Sequence, residues 1–140
     1  CTNTGDDFKA LTKIASGGEI SRIMLAIKTV LTKVDKVPTL IFDEIDTGIS
    51  GIAAKSVSEK MQKIANNHQI FVVTHLAVIA ASADTNIFAY KQVKNSKTQT
   101  NIKYLKDEEL INEIARISSG NTGEIALKHA KELIKMNKVA

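Results

Sequence analysis

The chain has 140 residues, 44% hydrophobic and 24% charged, with a formal net charge of +4 at neutral pH, enough for one compact domain with a buried core. Its single cysteine, Cys1, rules out an internal disulfide; with no charged leader before an apolar stretch, a reducing, cytoplasmic setting is expected, and no run of about 18 apolar residues is present to cross a membrane. All but two of the 19 basic residues, Arg22 and Arg116, are lysines, dispersed as on a solvated face, and the few aromatics do not interleave with a basic run, so base stacking is not indicated.

From Gly17 to Val34 the residues Ile20, Ile23, Met24, Ile27, Val30, Leu31 and Val34 recur at three- and four-residue spacing. This predicts a helix that buries those side chains on one face. Pro38 breaks the pattern, and Thr39-Leu40-Ile41-Phe42 is a continuous apolar run that predicts a strand buried on both faces. Gly48 and Gly51 place a loop next. A second helix is expected from about Ile52 to Asn66, burying Ala53, Val57, Met61 and Ile64. The β-branched run from Gln69 to Thr74 predicts another buried strand.

Strand, helix and strand in that order describe a βαβ unit with parallel strands. Asp43-Glu44 and His75 then emerge at the same sheet edge, where open α/β sheets bind ligands. Further on, Asn86 to Val93 and Gln99 to Leu105 read as strands flanking a turn at Lys94-Asn95-Ser96-Lys97. A helix opening on Asp107, Glu108 and Glu109 suits the positive end of a helix dipole. A last helix, near Glu124 to Met136, is expected to bury Leu127, Ala130, Leu133 and Ile134. No repeat or linker divides the chain, which reads as one domain over residues 1–140.

Four segments carry chemistry. Ser16 and Glu19 in Ala15-Ser16-Gly17-Gly18-Glu19 form a capping-box pattern at a helix start. The same residues suit a phosphate, because the two glycines bare backbone N–H groups at a positive helix end. Asp43 and Glu44 are consecutive acids delivered by an apolar strand; adjacent residues point opposite ways, so the two need different partners. A nucleotide site offers both, a magnesium ion for Asp43 and an attacking water for Glu44. Asp46-Thr47-Gly48-Ile49-Ser50-Gly51 is a glycine-containing loop just beyond them. His75 closes Val72-Val73-Thr74-His75 and has an imidazole able to donate a hydrogen bond to a terminal phosphate.

In this order and spacing the four segments resemble the signature motif, Walker B, D-loop and switch histidine of the ABC-type ATPases. The resemblance implies that Ser16, Gly17, Gly18 and Glu19 are the signature, which reaches ATP held by a second head. It makes Asp43 the Mg²⁺-side acid, Glu44 the catalytic base, Ser50 part of the D-loop, and His75 the switch, with the acids and His75 acting on the ATP of their own head. Transporter heads read Leu-Ser-Gly-Gly and Pro-Thr-Ser where this chain has Ala15-Ser16-Gly17-Gly18 and Ile45-Asp46-Thr47. That pattern is similar to the chromosome-associated branch. Within it, the stretches from Lys13 to Lys28 and from Phe42 to Gly51, together with Glu113-Ile114-Ala115-Arg116 and His129-Ala130-Lys131-Glu132-Leu133, resemble the RecN family of DNA double-strand-break repair proteins.

The fold this implies is α/β: the C-terminal lobe of an ABC-type head, with a parallel βαβ core, a following β-hairpin and two C-terminal helices. The implied ligands are ATP and Mg²⁺, and the implied partners are a second head in an ATP-bridged homodimer and DNA through the full-length protein, with no membrane. No Gly-x4-Gly-Lys-Ser/Thr loop occurs. With Cys rather than Met at position 1, the expectation is a piece of a longer protein, cut away from a coiled coil and an N-terminal Walker A lobe. Alone it is expected to hydrolyse no ATP. The competing readings are an SMC-like or transporter head, and a noncatalytic DNA-binding or scaffold module.

Overall fold

The computed structural model describes residues 15–32, 34, 36–94 and 96–137. Cys1, Lys13, Ile14 and Asn95, which enter the sequence reading, lie outside the described residues. The elements in chain order are α1 (Gly17–Leu31), β1 (Thr39–Phe42), α2 (Gly51–Ala65), β2 (Gln69–Val72), α3 (Ala77–Ala81), β3 (Asn86–Lys94), β4 (Lys97–Leu105), α4 (Asp107–Ser119) and α5 (Glu124–Asn137). They fall into two compact units, one ending at Thr74 and the other beginning at His75.

In the first unit β1 and β2 pair in parallel, with Thr39 opposite Gln69 and Phe42 opposite Val72. Bonds from Gln69 N to Pro38 O (2.8 Å) and from Val73 N to Phe42 O (3.0 Å) lengthen the ladder at both ends. Ahead of the strands, the buried His68 sets its Nδ1 2.7 Å from Val37 O, tying the two strand entrances together. Side chains alternate across the pleat: Leu40 and Phe42 are buried, whereas Ile41 is 73% exposed and its neighbour Phe71 is exposed as well. β1 is therefore buried on one face, not both, and β2 is only half-buried, through Ile70 and Val72. Among the described residues this sheet has two strands, and its other face has no covering layer. Helix α2 packs against β2 and α1, burying Ala54, Val57, Met61 and Ile64 as its periodicity predicts, with Ala54 in place of the half-buried Ala53.

Helix α1 corrects the sequence reading more sharply. Ile20, Ile23, Met24, Ile27, Val30 and Leu31 are all exposed, as is Val34 beyond the helix end. The packed face is instead the one carrying Gly18 and Leu25, buried, with Ser21, Arg22, Lys28 and Thr29 half-buried. Those positions also recur at three and four residues, so helical period alone did not say which stripe faces inward. Here the polar-lined face packs because a neighbouring loop presents carbonyls to it, as described below.

In the second unit β3 and β4 form an antiparallel hairpin, from Asn86 opposite Leu105 to Lys94 opposite Lys97. One face carries Phe88, stacked on Tyr90 with ring centroids 5.7 Å apart. Phe88 and Leu105 join Ala77, Ala81, Leu110, Ile114, Ala126 and Ala130 in a continuous core. Short helix α3, a segment to which the sequence analysis assigns no element, supplies three of that core's alanines. The small side chains let helices approach closely, and the larger Ile114 fills the centre. α4 opens on Asp107, Glu108 and Glu109, as the charge pattern predicts.

Removing atoms from this centre leaves a cavity that a small unit cannot collapse. Ile114→Ala, at 1% exposure, is expected to cost about 2–5 kcal/mol. Ile102→Ala, 70% exposed on the hairpin's other face, should stay within about 0.5 kcal/mol. Chemical denaturation of both variants checks the contrast.

Candidate functional site

The site is built where α1 meets the loop after β1. Ser16 is the N-cap of α1: its Oγ accepts from Glu19 N (3.3 Å) and donates to Glu19 Oε2 (2.9 Å), while Ser16 N donates to the same carboxylate at 2.8 Å. This is the full capping box. The Ser16 N–H and O–H bonds, aided by the charge of Arg22, hold the Glu19 carboxyl below the usual carboxylate range. The hydroxyl thus has both hydrogen-bonding capacities engaged within its own turn, and donating to an external anion would require its release from Glu19.

Beyond β1 the chain turns at once. Glu44 has a left-handed backbone, φ 57°, a state that costs a non-glycine residue about 1–2 kcal/mol. Two bonds close the turn: Asp43 Oδ1 accepts from Glu44 N (2.9 Å), and Glu44 O accepts from Thr47 N (3.0 Å). Asp43 and Glu44 are both exposed. Helix α1 grips the loop from the side. Ser21 Oγ donates to Asp43 O (2.8 Å), and Arg22 Nη1 donates to Ile45 O (3.1 Å) and Thr47 O (2.8 Å). Glycine is required by this approach at position 18, where a methyl would lie 2.8 Å from Glu44 O and 3.0 Å from Thr47 O; one on Gly17 would meet only the movable end of the Glu44 side chain at Oε2.

The inner side of the loop is fixed differently. Ile45 is fully buried, and Asp46 is 3% exposed, with Oδ2 accepting from Thr74 Oγ1 at 2.6 Å. A buried carboxylate must be hydrogen-bonded to be tolerated. The bond ties the loop after β1 to the residue that follows β2 and directly precedes His75. Ser50 caps α2 through its backbone, Ala54 N donating to Ser50 O at 2.9 Å, and its side chain makes no cap bond.

The structure thus brings Ser16, Gly17, Gly18, Glu19, Asp43 and Glu44 into one neighbourhood, within the unit that also holds Ser50. His75 is exposed and opens the second unit. Sequence reasoning missed Ser21, Arg22, Asp46 and Thr74. The signal for the first two was present: they share the helix face of Gly18 and Leu25. Asp46 stood in a loop where polarity is ordinary, and nothing in the sequence distinguished it as buried. Among the described residues no three metal-ligating side chains cluster, so the fit of a magnesium ion rests on Asp43 alone. That ion binds through one or two carboxylates together with substrate phosphates and water, and Asp43 offers one exposed carboxylate with Oδ1 already oriented. Two shallow surface hollows, one lined by Phe88, Lys103 and Glu113 and the other by Thr29, Lys63 and Asn66, include none of these residues.

The close approach at Gly18 gives a direct check. Gly18→Ala forces the helix or the loop to shift and should destabilise by about 1–3 kcal/mol. Gly51→Ala, where added carbon meets nothing within 4 Å, should be neutral or stabilise by up to about 1 kcal/mol. Thermal unfolding of the two variants compares them.

No family model matches the chain. Curated relatives do. The chain is 44% identical over 135 residues to the DNA repair protein RecN of Bacillus subtilis, covering 96% of this chain and 23% of that protein. It is 46% identical over 132 residues to RecN of Deinococcus radiodurans, covering 94% of this chain and 23% of the relative. Against RecN of Treponema pallidum it is 46% identical over 134 residues, covering 95% and 23%. The chain therefore spans about a quarter of the length of the relatives it matches, 23% in each case. A solved structure from work on ATP-driven dimerisation and DNA-stimulated activation of SMC ATPases shares the fold, with a TM-score of 0.55, 24% identity, and coverage of 85% of this chain and 70% of that one. Identity of 44–46% is sustained across almost the whole of this chain, which is thus similar to about a quarter of the length of each of these RecN proteins.

Proposed function

We propose that this chain supplies the carboxylates, the switch histidine and the signature turn of an ATP-hydrolysing head, in a protein that dimerises around ATP to drive DNA double-strand-break repair. The observation that carries the reading is the loop after β1. It presents two consecutive exposed acids, Asp43 and Glu44, at the end of a parallel strand, beside a glycine-bared helix N-terminus at Ser16 to Glu19.

Each residue then has a distinct task. Asp43, oriented by its bond from Glu44 N, holds a water of the Mg²⁺ shell. When bound, that ion neutralises charge on the β- and γ-phosphate oxygens. Glu44 accepts hydrogen bonding from the attacking water and takes its proton as a general base. His75 donates to the γ-phosphate of the same nucleotide. Ser16, Gly17 and Gly18 offer N–H and O–H donors at the positive end of α1 to the nucleotide of a second head, and Ser50 belongs to the loop that lines the junction.

The chain contains no phosphate-cradling loop, and that part is assigned to an N-terminal Walker A lobe of the full-length protein. Two uncovered apolar surfaces support such a partner: the stripe Ile20, Ile23, Met24 and Ile27 on α1, and the sheet face with Ile41, Phe71 and Val73. Contiguous exposed apolar side chains of this kind mark interaction surfaces. Without that lobe the 140 residues are expected to be inactive.

In the full-length protein, Glu44→Gln should preserve ATP-dependent head association and lower hydrolysis by about 10²–10⁴-fold, read by phosphate release. Normal turnover would remove Glu44 from the role of base. Ser16→Arg should leave nucleotide binding by each head intact and abolish ATP-dependent dimerisation, followed by sedimentation. Unchanged dimerisation would leave Ser16 as a helix cap and nothing more.

A further inference from the structure

The reading above leaves Arg22 and Ser21 without a task, although they make the contacts that shape the acid loop. We propose that Arg22, assisted by Ser21, is a positioning residue for ATP hydrolysis that holds Glu44 in its strained backbone state. The inference rests on the proposed function.

Three successive odd-numbered carbonyls, those of Asp43, Ile45 and Thr47, turn toward α1 and accept from Ser21 Oγ, Arg22 Nη1 and Arg22 Nη1. A carbonyl pinned in this way fixes the plane of its peptide, and so fixes the dihedrals on either side. The peptide of the Asp43 carbonyl ends at Glu44 N and so borders the φ of 57°; on the other side Glu44 O accepts from Thr47 N, and Thr47 is the residue whose own carbonyl Arg22 grips. An L-residue without such restraint leaves that region for a negative φ, which swings its side chain to a new direction. The grip on these loop peptides therefore decides where the Glu44 carboxylate points.

One guanidinium nitrogen serves two carbonyls, an arrangement that depends on the fixed geometry of its two N–H bonds. Space cannot substitute for it. Gly18 already brings the helix backbone against Glu44 O and Thr47 O, so the loop is clamped by contact below and by hydrogen bonds beside it. The charge of Arg22 also acts on the Glu19 carboxylate, which places the same side chain between the signature turn and the acid loop. The hydrogen bonds that Ser21 and Arg22 donate all go to backbone carbonyls of the acid loop and none to a phosphate-binding group. The loss of Arg22 should therefore act on the chemical step and spare nucleotide affinity.

The test is steady-state ATP hydrolysis by the full-length protein carrying Arg22→Ala, Arg22→Lys or Ser21→Ala, with Glu44→Gln alongside. Arg22→Ala should lower kcat about 10- to 100-fold with KM for MgATP within about threefold, because a displaced catalytic group costs rate rather than binding. Arg22→Lys, which keeps the charge and can reach one carbonyl, should fall between alanine and wild type. Ser21→Ala should lower kcat by about two- to fivefold. Wild-type kcat in Arg22→Ala, a rise in KM with kcat retained, or Arg22→Lys no better than Arg22→Ala would overturn the proposal. If Arg22→Ala does not fold, Ser21→Ala decides, and wild-type kcat there overturns it. Should Glu44→Gln hydrolyse ATP normally, the proposed function falls and this inference with it. If Glu44→Gln is inactive while Arg22→Ala is not, the inference falls alone.

Discussion

Where β1 ends, the backbone loses its strand neighbour, and the carbonyls of Asp43, Ile45 and Thr47 must find donors elsewhere. Helix α1 provides them from Ser21 and Arg22. Much of the site depends on that exchange. It requires glycine at position 18, because the helix must approach to within contact of the loop backbone. It adds to the two local bonds, Glu44 N to Asp43 Oδ1 and Thr47 N to Glu44 O, that close the turn in which Glu44 is left-handed. It turns Ile45 and Asp46 inward, the first into the core and the second onto Thr74. A loop that would otherwise be free to rearrange is held from both sides, by α1 and by the residue after β2, and two acids are left at the surface in a defined relation to a helix N-terminus.

The order of elements was legible because each has an unambiguous local cause. Pro38, directly before β1, bars a helix from running into the strand, the run of residues 39–42 is too short and too apolar for a helix, and Asp107 to Glu109 announce a helix start. The short α3 was not legible, since five residues of alanine, valine and isoleucine carry no periodicity to count. The packed face of α1 was misjudged for a physical reason. Hydrophobic periodicity finds the stripe that avoids water, whereas the stripe packed here is the one that feeds hydrogen bonds to a loop. Of the site, the capping box and the paired acids could be seen in the sequence, because Ser16 with Glu19 and Asp43 with Glu44 are close neighbours. The partners of Arg22 and Asp46 could not, because they lie more than twenty residues away along the chain.

The misjudged face and the half-covered sheet belong together. Ile20, Ile23, Met24 and Ile27 keep the spacing of a buried surface, and Ile41 lies in a strand whose composition suits burial on both sides, yet all are exposed. The RecN relatives, of which this chain spans 23%, have ample further sequence beyond the part it matches. The proposed function assigns a covering lobe and a phosphate loop together, since no such loop occurs in these 140 residues.

The central claim is a division of labour, in which the acids of a head serve its own nucleotide and its signature turn serves the partner's. Mixing full-length Ser16→Arg protein with full-length Glu44→Gln protein tests it most directly. In a mixed pair, one composite site takes intact acids from the first variant and an intact signature from the second, while the other site carries both defects. The account predicts that the mixture hydrolyses ATP although neither variant does so alone. A mixture as inactive as its two components would contradict it.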